Sequence, residues 1–167
     1  MKLNVPYISQ YRDIKDEYWQ KRTCGLVCLK MVLDYHKIWR DRISPDLNEF
    51  LKLALEKESY MESGWIHDRL LEIARGYNME VFRKEGIEGI QELKDFLDLD
   101  NPVIVSVSAK RFLDENKGKF HQIVLVGYDE NGFYYNDSDY ETDEGKNLFV
   151  DTKIFEKYWR KMAIFIE

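Results

Sequence analysis

Residues 121–137 read HQIVLVGYDENGFYYND. An apolar run rich in β-branched residues, a cluster of turn formers and an aromatic run follow one another. That pattern predicts two strands, His121–Tyr128 and Phe133–Asp137, joined across a turn containing Asn131-Gly132. Upstream, PVIVSVS at 102–108 predicts a further strand, and shorter strands are expected at Met79–Phe82 and Ala163–Ile166. LNVPYI at 3–8 reads as an extended segment that Pro6 confines to an edge. The first half is helical in pattern. From Cys24, the apolar residues Leu26, Val27, Leu29, Val32 and Leu33 recur at helical spacing and predict a helix to about Tyr35. Ser44-Pro45 predicts a helix start, with its end near Lys57, and Ser63 opens a helix that closes near Gly76. Gly89–Leu97 and Thr152–Arg160, the latter capped by Asp151, complete the set. Helices come first and strands later, so the fold class is α+β, a helical N-terminal part packed on a C-terminal antiparallel sheet.

Length and charge narrow the function classes. The chain has 167 residues, 25 basic and 31 acidic side chains and a net charge of −6. With no repeat and no Gly/Ser linker, residues 1–167 are expected to form a single domain. An acidic balance without a basic block argues against nucleic acid as a partner, since phosphate binding needs clustered Lys and Arg. No apolar run approaches the roughly 20 residues a membrane-spanning helix needs. Residues 1–10 lack the apolar centre and cleavage site of a signal peptide, so the expected location is cytoplasmic. Cys24 and Cys28 lie four residues apart with no second ligand pair, a poor zinc pattern, and no metal or cofactor is implied.

Cys24 begins its helix, directly after a polar loop and before Gly25. Free N–H groups and the helix dipole at that place stabilise a thiolate, and Gly25 leaves room for a substrate backbone. A small buried apolar residue is the other reading of Cys24, and the better one for Cys28. A thiolate nucleophile needs a proton carrier within reach. His36 stands at the far end of the Cys24 helix, and His67 reads as a helix-face residue beside Asp68 and Arg69. His121, opening an apolar strand, is the candidate. Asp137 could orient it, with Asn136 or Asp139 as alternatives. A hairpin centred on Asp129 would set His121 and Asp137 opposite each other. A turn at Asn131-Gly132 would instead put residue 142 opposite His121, so the pairing requires a longer loop or a bulge. Gln10, before the polar loop, could donate to an oxyanion together with the Cys24 N–H. Trp19 and Trp65 are candidate cleft neighbours, and the acidic run 139–144 reads as a solvated loop.

These residues carry a resemblance. VPYISQY (5–11), Trp19, TCGLVCLKMVLDYH (23–36), GWIHDRLLEIARGY (64–77), HQIVLVGYDENGFYYNDS (121–138) and FEKYWRKMAIFIE (155–167) resemble the papain-like cysteine peptidases. Within them the chain is similar to the double-glycine-leader, bacteriocin-processing peptidases and their stand-alone relatives. The resemblance implies the papain-like fold, with Cys24 as nucleophile, His121 as general base, Asp137 as its orienting group and Gln10 as oxyanion donor. Two positions depart from the family pattern: Leu26 follows Cys24-Gly25 where Pro or Ala is usual, and Ser138 follows the acid where Pro is frequent. The transmembrane and ATPase domains of exporter-linked members are not in this sequence, so leader processing is not the expected role. The expected activity is hydrolysis of a peptide or isopeptide bond in a peptide or protein substrate. Acyl transfer or deamidation through the same thioester, and a non-catalytic peptide-binding domain, are the alternatives. The sequence says nothing of oligomeric state.

Overall fold

The computed structural model describes residues 1–37, 43–62, 64–65, 67–113 and 120–167. The elements in chain order are α1 (Glu17–Gln20), α2 (Cys24–Tyr35), α3 (Leu47–Glu56), β1 (Tyr60–Met61), β2 (Gly64–Trp65), α4 (His67–Arg75), β3 (Val81–Glu85), α5 (Gln91–Asp98), β4 (Val103–Val107), β5 (His121–Tyr128), β6 (Gly132–Asn136), β7 (Leu148–Asp151), α6 (Thr152–Tyr158) and β8 (Trp159–Ile166). The fold is α+β, as its pattern of elements implies.

Six strands form one antiparallel sheet in the order β3-β8-β4-β5-β6-β7, and β1 and β2 form a separate short hairpin. Helix α2 packs chiefly on β5 and also on β4. Its Leu26, Val27, Leu29, Met31, Val32 and Leu33 are all buried. Each such side chain contributes about 1.5–3 kcal/mol relative to exposure. This contact fixes Cys24, at the helix start, against His121, at the strand start.

Several boundaries move from their expected places for physical reasons. The helix expected from Ser44-Pro45 begins at Leu47, because Asp46 takes the cap. Its carboxylate accepts from the Asn48 and Glu49 N–H groups, and Glu49 reaches back to the Asp46 N–H in a capping box. Ser44 is used elsewhere, on Lys30 and Asp34 of α2 in a partly buried cluster. Ser63 lies outside the described residues, and helix α4 starts at His67, after Trp65 has joined a strand. The extended segment at 3–8 forms no strand, and Lys2 just before it makes an isolated bridge to Gly127. Strand β8 begins at Trp159, inside the stretch expected to be helical, and β7 was not expected at all.

The hairpin of β5 and β6 settles the register. Its turn is centred one residue earlier than Asn131-Gly132, with the Asp129 N–H on the Gly132 carbonyl and the Asp129 carboxylate on the Asn131 and Gly132 N–H groups. From there Tyr128 pairs with Phe133 and Gly127 with Tyr134. Continued unbroken, that register would set Asp137 beside Val124, on the sheet face opposite His121. A bulge at Val126 intervenes, after which Leu125 pairs with Tyr135 and Val124 with Asn136. Asp137 then falls beside Ile123, on the face of His121. The Val126 carbonyl accepts the Leu3 N–H at 2.6 Å, and a side chain on Gly127 would strike the backbone of Met1 and Lys2.

Candidate functional site

Cys24 opens α2 behind Thr23, whose hydroxyl makes no cap bond to the helix, so the first-turn N–H groups are not taken up by that side chain. The half-buried sulfur is within hydrogen-bond reach of the His121 side chain and the Gln122 backbone N–H. Burial alone would push the Cys24 thiol up. The His121 hydrogen bond and positive charge, with the Gln122 N–H, outweigh burial and hold the thiol below its ordinary value. Cys28, a turn further along and fully buried, is pushed well up by burial and by the nearby Cys24 charge. The two thiols therefore lie in different electrostatic surroundings.

His121 is buried, with Nε2 at 2.6 Å from Asp137 Oδ1, which leaves Nδ1 for the Cys24 sulfur. Burial disfavours the imidazolium, but the Asp137 charge and hydrogen bond and the Cys24 sulfur overcome it, and the His121 pKa is pushed up to about 10. Asp137 is buried too. Burial would raise its carboxyl, yet the His121 charge and hydrogen bond, with the Asp139 N–H at 2.9 Å, hold it below the ordinary value. Cys24, His121 and Asp137 thus form one continuous line from thiol to carboxylate.

The neighbours considered as substitutes for Asp137 have other partners. Asn136 accepts from the Asn147 N–H at 2.9 Å. Asp139 accepts from the Tyr11 hydroxyl at 2.7 Å and the Lys110 ammonium at 3.1 Å, and is buried rather than solvated. Its own N–H is what steadies Asp137. The Asp137 segment is held further by its N–H on the Gly145 carbonyl and by the Tyr7 hydroxyl on the Asp137 carbonyl.

Gln10 sits in this supporting network. Its amide oxygen accepts from the Ser138 hydroxyl at 2.7 Å and its amide nitrogen donates to the Gln20 carbonyl at 2.8 Å. The second amide hydrogen faces Asp139 Oδ1 at 3.5 Å, a weak contact. The first use of the Gln10 amide is therefore structural, which its place in the sequence did not indicate.

A cleft of about 260 Å³ opens at Cys24 and His121. Its walls are Gly25, Trp65, His67, Ser106, Phe120, Gln122 and Arg160. Trp65 was expected there, and Trp19 packs behind it at 5.9 Å between ring centres. His67 was read as a helix-face residue, but it reaches into the cleft, where the Gln122 amide meets its Nε2 at 3.2 Å. Burial, then the Arg83 charge, lowers the His67 pKa and favours the neutral ring as the acceptor. Gln122 and Arg160 went unnoticed because strand alternation does not say which polar side chains converge on a cleft. The cue that could have found Arg160 is a pair of cations, Arg160 and Lys161, in an otherwise apolar closing strand. Among the described residues, no group of three or more His, Cys, Asp or Glu side chains could hold a metal ion. No described helix is long and apolar enough to cross a membrane.

The Peptidase_C39 like family model matches residues 2–164 of this sequence. The chain belongs to that family. Its kinship makes it cysteine-peptidase-like in general character. A protein from Bacillus anthracis described as a C39-like peptidase superposes with a TM-score of 0.71 at 24% identity, over 100% of this chain and 98% of that one. A double glycine motif protease from an AMS/PCAT transporter, in complex with its leader peptide, gives a TM-score of 0.62 at 19% identity, covering 99% and 92% of the two chains. The peptidase domain of Streptococcus ComA, a bi-functional ABC transporter in a quorum sensing pathway, gives 0.60 at 22% identity, covering 99% and 96%. At these identities the family members share the papain-like fold. No curated protein matches the chain.

Proposed function

We propose that residues 1–167 form a single peptidase domain that hydrolyses a peptide or isopeptide bond through a thioester on Cys24. The observation that carries this reading is the line from the Cys24 thiol through the buried His121 ring to Asp137, with His121 held protonated and the thiol lowered. The Cys24 thiolate attacks the substrate carbonyl carbon. The resulting oxyanion is held by the Cys24 backbone N–H and by the loosely held second amide hydrogen of Gln10. The His121 imidazolium then gives its proton to the leaving amine as the C–N bond breaks, leaving the acyl group on sulfur. Neutral His121 takes a proton from water, which attacks the thioester, and the carboxylic acid leaves as the thiolate–imidazolium pair re-forms. Asp137 keeps the ring oriented and its charge favourable throughout. The substrate is a peptide or protein segment laid in the cleft, a reading supported by the leader peptide bound to a structural neighbour. Two unpaired thiols suit a reducing compartment, the cytoplasm.

The test is the pH dependence of alkylation at Cys24 and Cys28, resolved by peptide mass spectrometry, in the native protein and His121→Ala. Cys24 should react well below pH 7 and lose that reactivity in the variant, with Cys28 inert in both. A Cys24 that titrates like an ordinary thiol, near pH 8.5 or so, and ignores His121 would overturn the reading.

A further inference from the structure

Arg160 stands in the wall of the Cys24 cleft in an unusual way. Strands β4 and β8 pair regularly up to Val105 and Ala163 and resume at Val107 and Trp159. Ser106 alone on β4 is thus matched by Arg160, Lys161 and Met162 on β8, a bulge with two extra residues. Lys161 within it has φ of 57°, a left-handed conformation that costs a residue with a side chain about 1–2 kcal/mol. Bulges beside clefts re-aim side chains, and this one sends Arg160 to the site.

The guanidinium is held in place. Nη1 donates to the Ser106 hydroxyl at 3.1 Å, and the guanidinium carbon lies 3.7 Å from the centre of the exposed Phe120 ring. A guanidinium has five N–H donors in a planar fork, and Ser106 uses one. Although acidic side chains outnumber basic ones by 31 to 25, no carboxylate among the described residues pairs with Arg160. The neighbouring Arg83, by contrast, is closed by Glu85. An oriented, half-buried cation without a carboxylate, facing the same cleft as the nucleophile, has the chemistry of a bidentate anion receptor.

We propose that Arg160 forms a carboxylate-binding subsite, and that the substrate carries a carboxylate close to the bond that Cys24 attacks. The proposal rests on the hydrolase reading for its location but not for its test. The carboxylate is either an acidic side chain or the free C-terminus of a substrate.

The experiment compares alkylation of Cys24 by iodoacetate and by iodoacetamide in the native protein, Arg160→Gln and Ser106→Ala. The two reagents differ in carrying a carboxylate or an amide. The His121 imidazolium attracts the anion in all three proteins, so the informative quantity is the change in the iodoacetate-to-iodoacetamide rate ratio. Charge-assisted hydrogen bonds of this type correspond to roughly ten- to hundredfold. The ratio should fall by about that factor in Arg160→Gln and by less in Ser106→Ala. An unchanged ratio in Arg160→Gln overturns the proposal. Cys24 inert to both reagents in the native protein would instead overturn the hydrolase reading. Protection of Cys24 from iodoacetamide then separates the sources: N-acetylaspartate α-amide reports a side-chain carboxylate and N-acetylglycine a C-terminal one. Protection by either, beyond that given by N-acetylglycinamide and lost in Arg160→Gln, supports the subsite. Equal protection by all three counts against it.

Discussion

At Asp137 a single charge sets the chemistry of two other residues. One carboxylate oxygen meets His121 and the Asp139 N–H, and the other is buried with no hydrogen-bond partner among the described residues. The ionised form is therefore sustained chiefly by the imidazolium. Asp137→Asn retains an acceptor for His121 and removes the charge. His121 then loses its main support, and the Cys24 thiol loses the imidazolium that lowers it. Alkylation of Cys24 as a function of pH should move upward by roughly one to three units, the usual effect of removing a close opposite charge. An unmoved profile would mean that the thiol is lowered by the helix start alone. Cys28→Ala acts differently, because the Cys28 sulfur is buried and its thiol is pushed up. It should leave the Cys24 profile in place and lower stability by about 1–2 kcal/mol, read by urea denaturation. This division between the thiols was legible in the sequence, since one stands at a helix start and the other a turn inside it. The structural use of Gln10 was not. Its partners Gln20 and Ser138 lie ten and 128 residues away, and only the tertiary fold brings them together.

Elements were legible where local pattern and packing agree. Helix α2 and strand β5 begin and end where their apolar spacing places them, because each is buried along most of its length. The pairing between β5 and β6 was legible only as a condition. A turn set by local residues and a shared face for His121 and Asp137 conflict by one residue, and the Val126 bulge absorbs the conflict. The bulge has no signature of its own, because its unpaired carbonyl is satisfied by Leu3, more than a hundred residues away in sequence. The start of β8 was misread for a related reason: Arg160 and Lys161 occupy a bulge, where strand alternation is lost. The segment after β6 offers a sharper test of how elements place the site. A methyl group on Gly145 would land on the Asp137 carbonyl oxygen and the Tyr7 hydroxyl. Gly145→Ala must push back the backbone that carries Asp137, a strain of about 1–3 kcal/mol. Its expected signature is twofold: a lower denaturation midpoint, and a Cys24 alkylation profile displaced toward higher pH. A loss of stability with the profile unchanged would show that Asp137 keeps its place when its segment shifts.

Across the whole molecule, the N-terminal segment and the sheet are joined through charged and polar groups of the site. Tyr7 binds the Asp137 carbonyl, Gln10 binds Ser138, Tyr11 binds Asp139 and Arg12 binds Asp143. One of these contacts holds the Asp137 backbone directly, and the His121–Asp137 pair is buried, so its ionisation should appear in global stability. His121 rises from 6.5 unfolded to about 10 folded. Its contribution is complete below pH 6.5 and is lost as pH climbs through the folded value, because the folded state alone retains the proton in that interval. Asp137 acts in the opposite sense, its carboxyl being lowered from 3.8, so its contribution is present above that value and fades in acid. Cys24 would blur the alkaline side. Its lowered thiol adds stability as pH rises toward the ordinary thiol value of 9.0, against the slope from His121. The measurement therefore belongs in Cys24→Ser, where the thiol is absent. The reference adds His121→Gln and Asp137→Asn, a neutral pair of similar shape. The stability difference between the two proteins, from urea denaturation at a series of pH values, should form a plateau between 3.8 and 6.5. Above the plateau it should decline with a slope approaching about 1.4 kcal/mol per pH unit, the value for one proton. Burying the pair is costly, so the height of that plateau can be small or even negative; its shape carries the prediction. A difference that stays flat from pH 5 to 10 would mean that folding leaves the His121 pKa at its unfolded 6.5, and one that rises through 6.5 that the ring is neutral in the folded protein; in either case the thiolate–imidazolium mechanism would lose its proton donor.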